Sequence, residues 1–110
     1  MDEKRPTLWP QSLRTQILEA FPRGANRCDT YVNEITAGLV DAKADPVVEQ
    51  CSDGCAVIHG HNGLGAVTAH LAMKTALQLA RDHGVAVVTC HSSNHYGAAG
   101  FWAIMALDEI

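Results

Sequence analysis

The sequence predicts an α/β fold with the order strand, helix, strand, helix and an incomplete sheet. Two compact apolar runs, CAVIHG at 55–60 and VAVVTC at 85–90, are typical of buried strands. Between them lies AVTAHLAMKTALQLARDHG, a long helix rich in alanine and leucine. A helix between two strands favours parallel pairing through a right-handed crossover. Because two strands leave open edges that a folded domain normally covers, we also expect the 110 residues to be part of a longer chain.

The first 25 residues are predicted to be poorly ordered. Three of the four prolines fall in this segment, and FPRGAN interrupts the short helical pattern that precedes it. A helix follows, for which Asn26 is the predicted N-cap and Gly38 the predicted C-terminal cap. We therefore divide the chain into a divergent segment, residues 1–25, and a partial domain, residues 26–110.

The elements that follow are marked by turn and cap residues. Pro46 favours an extended path into an edge strand, and NGLG at 62–65 predicts a turn before the long helix, which Gly84 ends. The strand at 85–90 is apolar throughout, as expected when both of its faces are covered. AAGFWAIMALDEI then predicts a third helix that continues to the end of the chain. The buried face of the long helix is predicted to carry Leu64, Ala72, Met73, Ala76, Leu77 and Ala80.

Composition excludes several classes of function. With 47% hydrophobic and 18% charged residues, the chain has the composition of a globular protein. Its net charge of −4, without a basic stripe, argues against a nucleic-acid partner. The first residues lack the apolar core of a secretory signal, and no apolar run approaches the length of a membrane span. We therefore predict a cytoplasmic protein with no membrane partner and with its four cysteines reduced.

The candidate site is the polar loop TCHSSNHYGAAGF at residues 89–101. It follows the second predicted strand, and in open α/β sheets ligands bind beyond the carboxyl ends of the strands. A loop that only turns has no need of two histidines, so His91 and His95 point to chemistry. Since an imidazole can exchange a proton near neutral pH, His95 is a candidate acid/base group. The alternative is a helix start whose polar groups are satisfied internally.

Two other motifs carry less weight. GHNGLGA at 60–66 follows a strand and opens a helix, but its glycines lack the G-x-G-x-x-G spacing of a dinucleotide-binding turn, so we interpret them as a tight turn with close packing. A C-x3-C-x3-H-x-H series matches no common zinc-finger spacing. Its members are Cys51, Cys55, His59 and His61. The sequence therefore predicts no metal ligands, and a metal-binding domain is kept only as the weakest alternative.

Two short motifs carry a family signature. They are NGLG and SNHYGAAG, which a long helix and a strand separate in this chain. They resemble the malate/L-lactate dehydrogenase family, which also contains L-sulfolactate and ureidoglycolate dehydrogenases. SNHYGAAG corresponds to the family's Ser-Asn-His-Phe/Tyr-Gly loop, and the likeness extends upstream through GANRCDTYVNEITAGLVDAKADPVVEQ, so that it covers residues 24–110. It implies the amino-terminal portion of the L-sulfolactate dehydrogenase-like fold, which is not a Rossmann fold.

The resemblance implies an oxidoreductase that exchanges a hydride between NAD or NADP and a small 2-hydroxy acid such as malate or lactate, and that acts as a homodimer. The loop histidine of the family is the acid/base group, which in this chain is His95. Arg27 falls on the arginine of the family's S-H-G-x-x-R segment and is expected to bind the substrate carboxylate. Asn94 is expected to contact the substrate. Most cofactor contacts and a catalytic aspartate are expected in segments downstream of Ile110.

A rival interpretation rests on departures from the family pattern. Pro22 and Arg23 stand where the family has Ser-His, so a second site histidine is missing. The residues before Gly24 do not resemble the family, and an incomplete nicotinamide site would leave the short chain inactive by itself. The alternative to an enzyme is therefore a non-catalytic fragment that pairs with a full-length relative through the dimer surface.

Overall fold

The computed structural model of the chain describes residues 27–109. The predicted disorder of residues 1–25 and the predicted N-cap at Asn26 lie outside the described residues. In chain order the elements are helix α1 (Cys28–Thr36), strands β1 (Val47–Ser52) and β2 (Cys55–His59), helix α2 (Gly65–His83), strand β3 (Val87–His91), helix α3 (Ala99–Ile104) and a 3₁₀ turn (Leu107–Glu109).

The three strands form one mixed sheet in the order β1-β2-β3. β2 and β3 are parallel, with His59 opposite His91, and α2 connects them as the sequence predicts. β1 is antiparallel to β2 and occupies one edge, which confirms the edge strand expected after Pro46. Gly54, at φ +74°, makes the tight turn between these two strands.

The core lies under the central strand, because β2 is the only strand of this sheet with a neighbour on each side. Ile58 is fully buried and Ala56 nearly so, and α2 packs across β2 and β3. Leu79 from α2 and Val40 from the segment after α1 complete this small core. Burial of the Ile58 side chain contributes about 2 kcal/mol to stability.

Glycines end both long helices as the sequence predicts. Gly38 follows α1 at φ +76° and Gly84 follows α2 at φ +89°, a conformation that L-residues with a Cβ adopt at a cost. The Gly84 N–H donates a hydrogen bond to the carbonyl of Ala80, which satisfies one of the unpaired groups at the helix end.

Two expectations about burial are wrong. β3 is mostly exposed, not covered on both faces, because it is the other edge of the sheet and α2 covers only one face. The predicted apolar face of α2 is only half-buried, and the buried positions in this helix are Gly65, Thr68 and Leu79. A helix of this length spans about 28 Å, whereas a five-residue strand spans about 17 Å. The sheet is therefore too short to cover α2.

The third predicted helix is also shorter than expected. α3 stops at Ile104, and the chain continues through a turn into the 3₁₀ segment instead of one continuous helix. Arg81 of α2 donates hydrogen bonds to Glu109, so an ion pair holds this 3₁₀ segment against the end of α2. Among residues 27–109, no helix has both the length and the hydrophobicity needed to cross a bilayer.

Candidate active site

Of the predicted polar loop, residues 89–101, the part that is neither strand nor helix is residues 92–98, between β3 and α3; the name polar loop is kept for this part. It leaves the sheet at the carboxyl ends of the parallel strands β2 and β3, where ligand sites of α/β sheets usually form. Ser92 and Gly97 have positive φ values of 53° and 83°, so the loop turns sharply at both of its ends. The three residues between Ser92 and Tyr96 are consequently presented on a short, well-defined segment.

His95 is half-buried, and its ring is held through Nδ1. The Gly97 N–H donates to Nδ1 at 3.2 Å, and Tyr31 Oη lies 2.7 Å from the same atom. Because an N–H can only donate, Nδ1 must present a lone pair, and the neutral ring then carries its proton on Nε2. In the described part of the chain, Nε2 has no hydrogen-bond partner. Nε2 is therefore the atom available to a substrate.

Tyr31 is the residue that sequence reasoning missed. Helical spacing places Tyr31 on the same side as the apolar Ile35, whereas the structure turns its hydroxyl toward His95, 64 residues away in the chain. The two rings also contact each other, with centroids 5.7 Å apart. A phenol on an otherwise apolar helix face is the signal that could have found it, because a buried Tyr O–H usually has a partner.

Arg27 lies at the N-cap position of α1 and is half-buried. It precedes Tyr31 by four residues, and this spacing places two side chains on the same side of a helix. The Tyr31–His95 hydrogen bond therefore brings the helix start that carries Arg27 to the loop that carries His95. Helix α1 therefore follows directly from Arg27 and contacts the polar loop one turn later, through Tyr31.

Asn94 joins the loop to the glycine-rich turn. Its Nδ2 donates to the carbonyl of Gly63 at 2.8 Å and to Asn62 Oδ1 at 3.2 Å. Both amide hydrogens are used in this way, so the atom that Asn94 has left for a ligand is Oδ1. The contacts give this residue a clear structural role, and its expected contact with substrate stays a prediction.

The glycines of GHNGLGA support packing and do not form a cradle for a pyrophosphate. A Cβ at Gly65 would overlap the carbonyl oxygens of Asn94 and His95, so the start of α2 lies directly against the polar loop. A Cβ at Gly60 would lie 2.7 Å from the carbonyl oxygen of Ser92. Because other atoms of residues 27–109 already occupy the space beside these glycines, the turn leaves no room there for the pyrophosphate of a dinucleotide. The interpretation of the motif as close packing is confirmed.

A cavity of about 570 Å³ lies between α2, β3 and the polar loop. This volume is within the range of pockets that hold small molecules. Asn94 and Tyr96, the neighbours of His95, line it together with Trp102, although the His95 side chain does not. Cys90 also lines it, and desolvation raises the pKa of its thiol. The buried hydroxyl of Thr68, at the wall of the cavity, has no hydrogen-bond partner among the described residues.

The other predicted groups are separated by the fold. His91 contacts Glu49 and Ser92, whereas His95 contacts Tyr31 and Gly97, so the two predicted histidines have different hydrogen-bond partners among the described residues. Cys55 and His59 stand at opposite ends of β2, about 13 Å apart for a strand of this length. The C-x3-C-x3-H-x-H series therefore cannot enclose one metal ion. All four cysteines are free, as the sequence predicts.

Comparison with known proteins agrees with this arrangement. The sequence model of the malate/L-lactate dehydrogenase family matches residues 15–109. A malate/(S)-sulfolactate dehydrogenase of Methanothermus fervidus is 37% identical over 84 residues, which are 76% of this chain and 25% of that protein. A malate dehydrogenase of Pyrococcus horikoshii is 38% identical over 86 residues, 78% of this chain and 24% of that protein. The structure of a sulfolactate dehydrogenase from Methanocaldococcus jannaschii superposes with a TM-score of 0.80 at 30% identity, over 86% of this chain and 28% of that chain.

These matches place the α/β fold of this chain among proteins named as malate and sulfolactate dehydrogenases. The chain belongs to the malate/L-lactate dehydrogenase family. Its fold is that of the matching part of the sulfolactate and malate dehydrogenases, as predicted. The chain spans about a quarter of the length of the curated relatives it matches.

Proposed function

We propose that this chain provides the proton-transfer half of a dehydrogenase that interconverts a small 2-hydroxy acid and its 2-oxo acid, with NAD or NADP as the hydride carrier. The observation that carries the proposal is the environment of His95: Nδ1 is held by Tyr31 and by the Gly97 N–H, and Nε2 is left for the substrate. Family membership supports the reaction class.

The proton balance assigns two states to His95. When the hydroxy acid is oxidised, C2 loses a hydride and the hydroxyl oxygen loses a proton. For Nε2 of His95 to accept that proton, the neutral ring must first shift from the observed tautomer to the one that carries its proton on Nδ1, where Tyr31 Oη accepts the hydrogen bond. When the oxo acid is reduced, the imidazolium gives the Nε2 proton to the oxygen as hydride reaches C2. In both oxidation and reduction, Nδ1 of His95 therefore carries a proton while Nε2 gains or loses one.

Tyr31 can accompany both states of the ring, whereas Gly97 cannot. A hydroxyl donates to Nδ1 when that atom has a lone pair and accepts from it when it is protonated. The Gly97 N–H is only a donor, so its hydrogen bond must open when Nδ1 gains a proton. We therefore assign Tyr31 as a positioning residue that keeps Nε2 of His95 directed toward the substrate throughout the reaction.

The remaining parts of the proposal come from the family resemblance. Arg27 is proposed to pair with the substrate carboxylate, and Asn94 to contact the substrate through Oδ1. NAD or NADP would accept or supply the hydride, and no contact with it is assigned to the described residues. A homodimer, a cytoplasmic location and the lack of nucleic-acid and membrane partners stay predictions.

The test of the proposal is a dehydrogenase assay with malate, lactate and sulfolactate, each with NAD and with NADP. It is run on the chain itself and on the chain completed by the remaining sequence of the Pyrococcus horikoshii relative. Turnover by the completed chain, abolished by substitution of His95, is the expected result. If both forms are folded and neither oxidises any of the three acids with either cofactor, the enzyme proposal is wrong and the non-catalytic fragment is favoured.

Replacing Tyr31 by phenylalanine is expected to lower kcat of the completed chain by about tenfold while KM changes by less than about twofold. The substitution removes one hydrogen bond to Nδ1, which is worth about 1 kcal/mol or slightly more, and leaves the substrate contacts in place. Steady-state kinetics measures the split, and ¹⁵N shifts of the His95 ring report whether the proton distribution changes. Unchanged ring shifts together with unchanged kcat would remove Tyr31 from this role.

Replacing Arg27 by lysine is expected to raise KM for the acid by about tenfold or more with a smaller effect on kcat. A lysine keeps the charge but loses the planar fork that pairs with both carboxylate oxygens. Initial rates over a range of acid concentrations provide the measurement, with Lys43→Arg, at an exposed position before β1, as the matched control. An unaltered KM would contradict the carboxylate-binding role of Arg27.

A further inference from the structure

A second group of chemically active side chains lies on the sheet and does not include His95. It consists of Glu49 from β1, His59 from β2 and His91 from β3, called the sheet cluster below. One potential ligand atom from each of the three residues lies within 4.8 Å of the other two. His91 Nε2 and Glu49 Oε2 are 2.7 Å apart, and the His59 and His91 rings meet edge to face with centroids 4.5 Å apart.

Backbone geometry explains why these residues converge. His59 and His91 are direct partners in the parallel pair β2–β3, so their side chains leave the same face of the sheet. On the other side of β2, the register of β1 shifts between Val48 and Gln50, which leaves Glu49 as the extra residue of a bulge. Bulges redirect a side chain, and this one turns the carboxylate of Glu49 across β2 to His91.

We propose that the sheet cluster binds one divalent transition-metal ion, with Zn²⁺ as the reference ion. Two imidazoles and one carboxylate are a set of donors that suits zinc, and three protein ligands leave a fourth position for water. Zinc holds such ligands at about 2.0–2.2 Å, which places them about 3.4 Å from one another. The side chains of Glu49 and His91 are 44% and 46% exposed, so they can move the short distance from the observed separations.

The hydrogen bonds around the sheet cluster agree with this proposal. The carboxyl group of Glu49 accepts from His91, and this bond and the charges of His91, His59 and His61 lower its pKa, so the group is ionised at neutral pH. Ser92 Oγ lies 3.1 Å from His91 Nδ1 and can accept a hydrogen bond from it, which orients His91 for ligation through Nε2. Among the described residues, His59 Nδ1 accepts one hydrogen bond, from the backbone N–H of exposed His61. If an ion binds the Nδ1 lone pair, water can accept the hydrogen bond from that N–H instead.

A bound ion would tie together all three strands of the sheet, including its two edges. Ligand binding to the folded state alone stabilises it in proportion to the logarithm of the ligand concentration. An ion held by Nε2 of His91 would replace the hydrogen bond that this atom makes with Glu49. Sequence spacing alone could not find this set, since Glu49, His59 and His91 are ten and 32 residues apart along the chain.

The experiment is a titration of the full chain with zinc chloride by isothermal calorimetry. We expect one zinc ion per chain, with affinity at least about 100-fold weaker in His59→Ala and in His91→Ala, because second-shell losses alone reach 10–100-fold. Glu49→Gln keeps the shape of the side chain and should also weaken binding. Zinc at about 100 times its Kd should raise the Tm of the parent by on the order of 10 °C and leave His59→Ala unaffected.

The controls separate the sheet cluster from the other zinc-binding groups of the chain. His70→Ala removes an exposed histidine outside the cluster, and Cys51→Ser with Cys55→Ser removes two exposed thiols; all three changes should leave the affinity within about twofold. Far-UV circular dichroism verifies that each variant is folded. If a histidine variant is not folded, zinc binding by Glu49→Gln tests the sheet cluster instead. The proposal is overturned if the parent binds no zinc, if the cluster variants bind as tightly as the parent, or if only the cysteine variant loses the ion. The readout needs no enzyme activity, so it is independent of the proposed function.

Discussion

His95→Gln is expected to reduce turnover of a 2-hydroxy acid by the completed chain by about 10²–10⁴-fold, the usual contribution of a general acid/base group. Glutamine approximates the length of the imidazole and still offers hydrogen-bond groups, but it cannot exchange a proton near neutral pH. The hydroxyl proton of the substrate would then have to leave to water. The loss should fall on kcat, because the group acts on the transition state more than on substrate binding.

The measurement is a steady-state assay at pH 7 with the preferred acid and cofactor, beside His83→Gln as the matched control. His83 is an exposed histidine in the last turn of α2, at the opposite end of this helix from the polar loop. The control should retain the parental rate. Activity of His95→Gln within a few-fold of the parent would exclude the acid/base role and with it the mechanism derived from the Tyr31 contact.

Gly65→Ala is expected to destabilise the folded chain by about 3 kcal/mol, near the upper end of overpacking effects. The added Cβ would overlap the backbone carbonyl oxygens of Asn94 and His95, and no rotamer change can relieve an overlap between two backbones. The residue is the first of α2, where its φ is not positive, so the whole effect arises from the lost space. The relief must come from displacement of the polar loop, so the substitution should also reduce any activity that depends on His95.

Urea unfolding, with midpoint and slope both fitted, measures this effect. Gly38→Ala is the matched control: its φ is +76°, but no atom lies within 4 Å of the added Cβ. This second variant should lose only about 1–2 kcal/mol, the penalty of the left-handed conformation. Equal losses for the two glycines would mean that the contact between α2 and the loop is not close-packed in solution.

The sequence was a good guide to elements whose cause is local. Apolar runs of β-branched residues became β2 and β3, a segment rich in alanine and leucine became α2, and glycines at 38 and 84 ended helices where the backbone turns left-handed. These features depend on periodicity and on the conformational freedom of single residues, which neighbouring sequence determines. Burial was predicted less well, because the coverage of β3 and α2 depends on which other elements pack against them.

The candidate site was likewise predicted only where its cause is local. His95 was found from the motif around it, and its place in a short loop after a strand follows from local sequence. Its partner Tyr31 was not found, because 64 residues separate them and the local pattern does not show which residue the phenol hydroxyl contacts. The spacing of cysteines and histidines suggested a metal-binding set that β2 holds apart, while the ligand set proposed above is assembled from three different strands.

By itself, then, the sequence determined the order of the helices and strands, the parallel pairing across α2 and the loop that carries the central histidine. Only the tertiary structure decided which side chains face that histidine, which edge of the sheet stays exposed and how a bulge in β1 brings Glu49 to His91. The physical reason is that local conformation depends on a residue and its near neighbours. A side-chain contact across the fold depends on register and packing angles, which are fixed only when the whole core assembles.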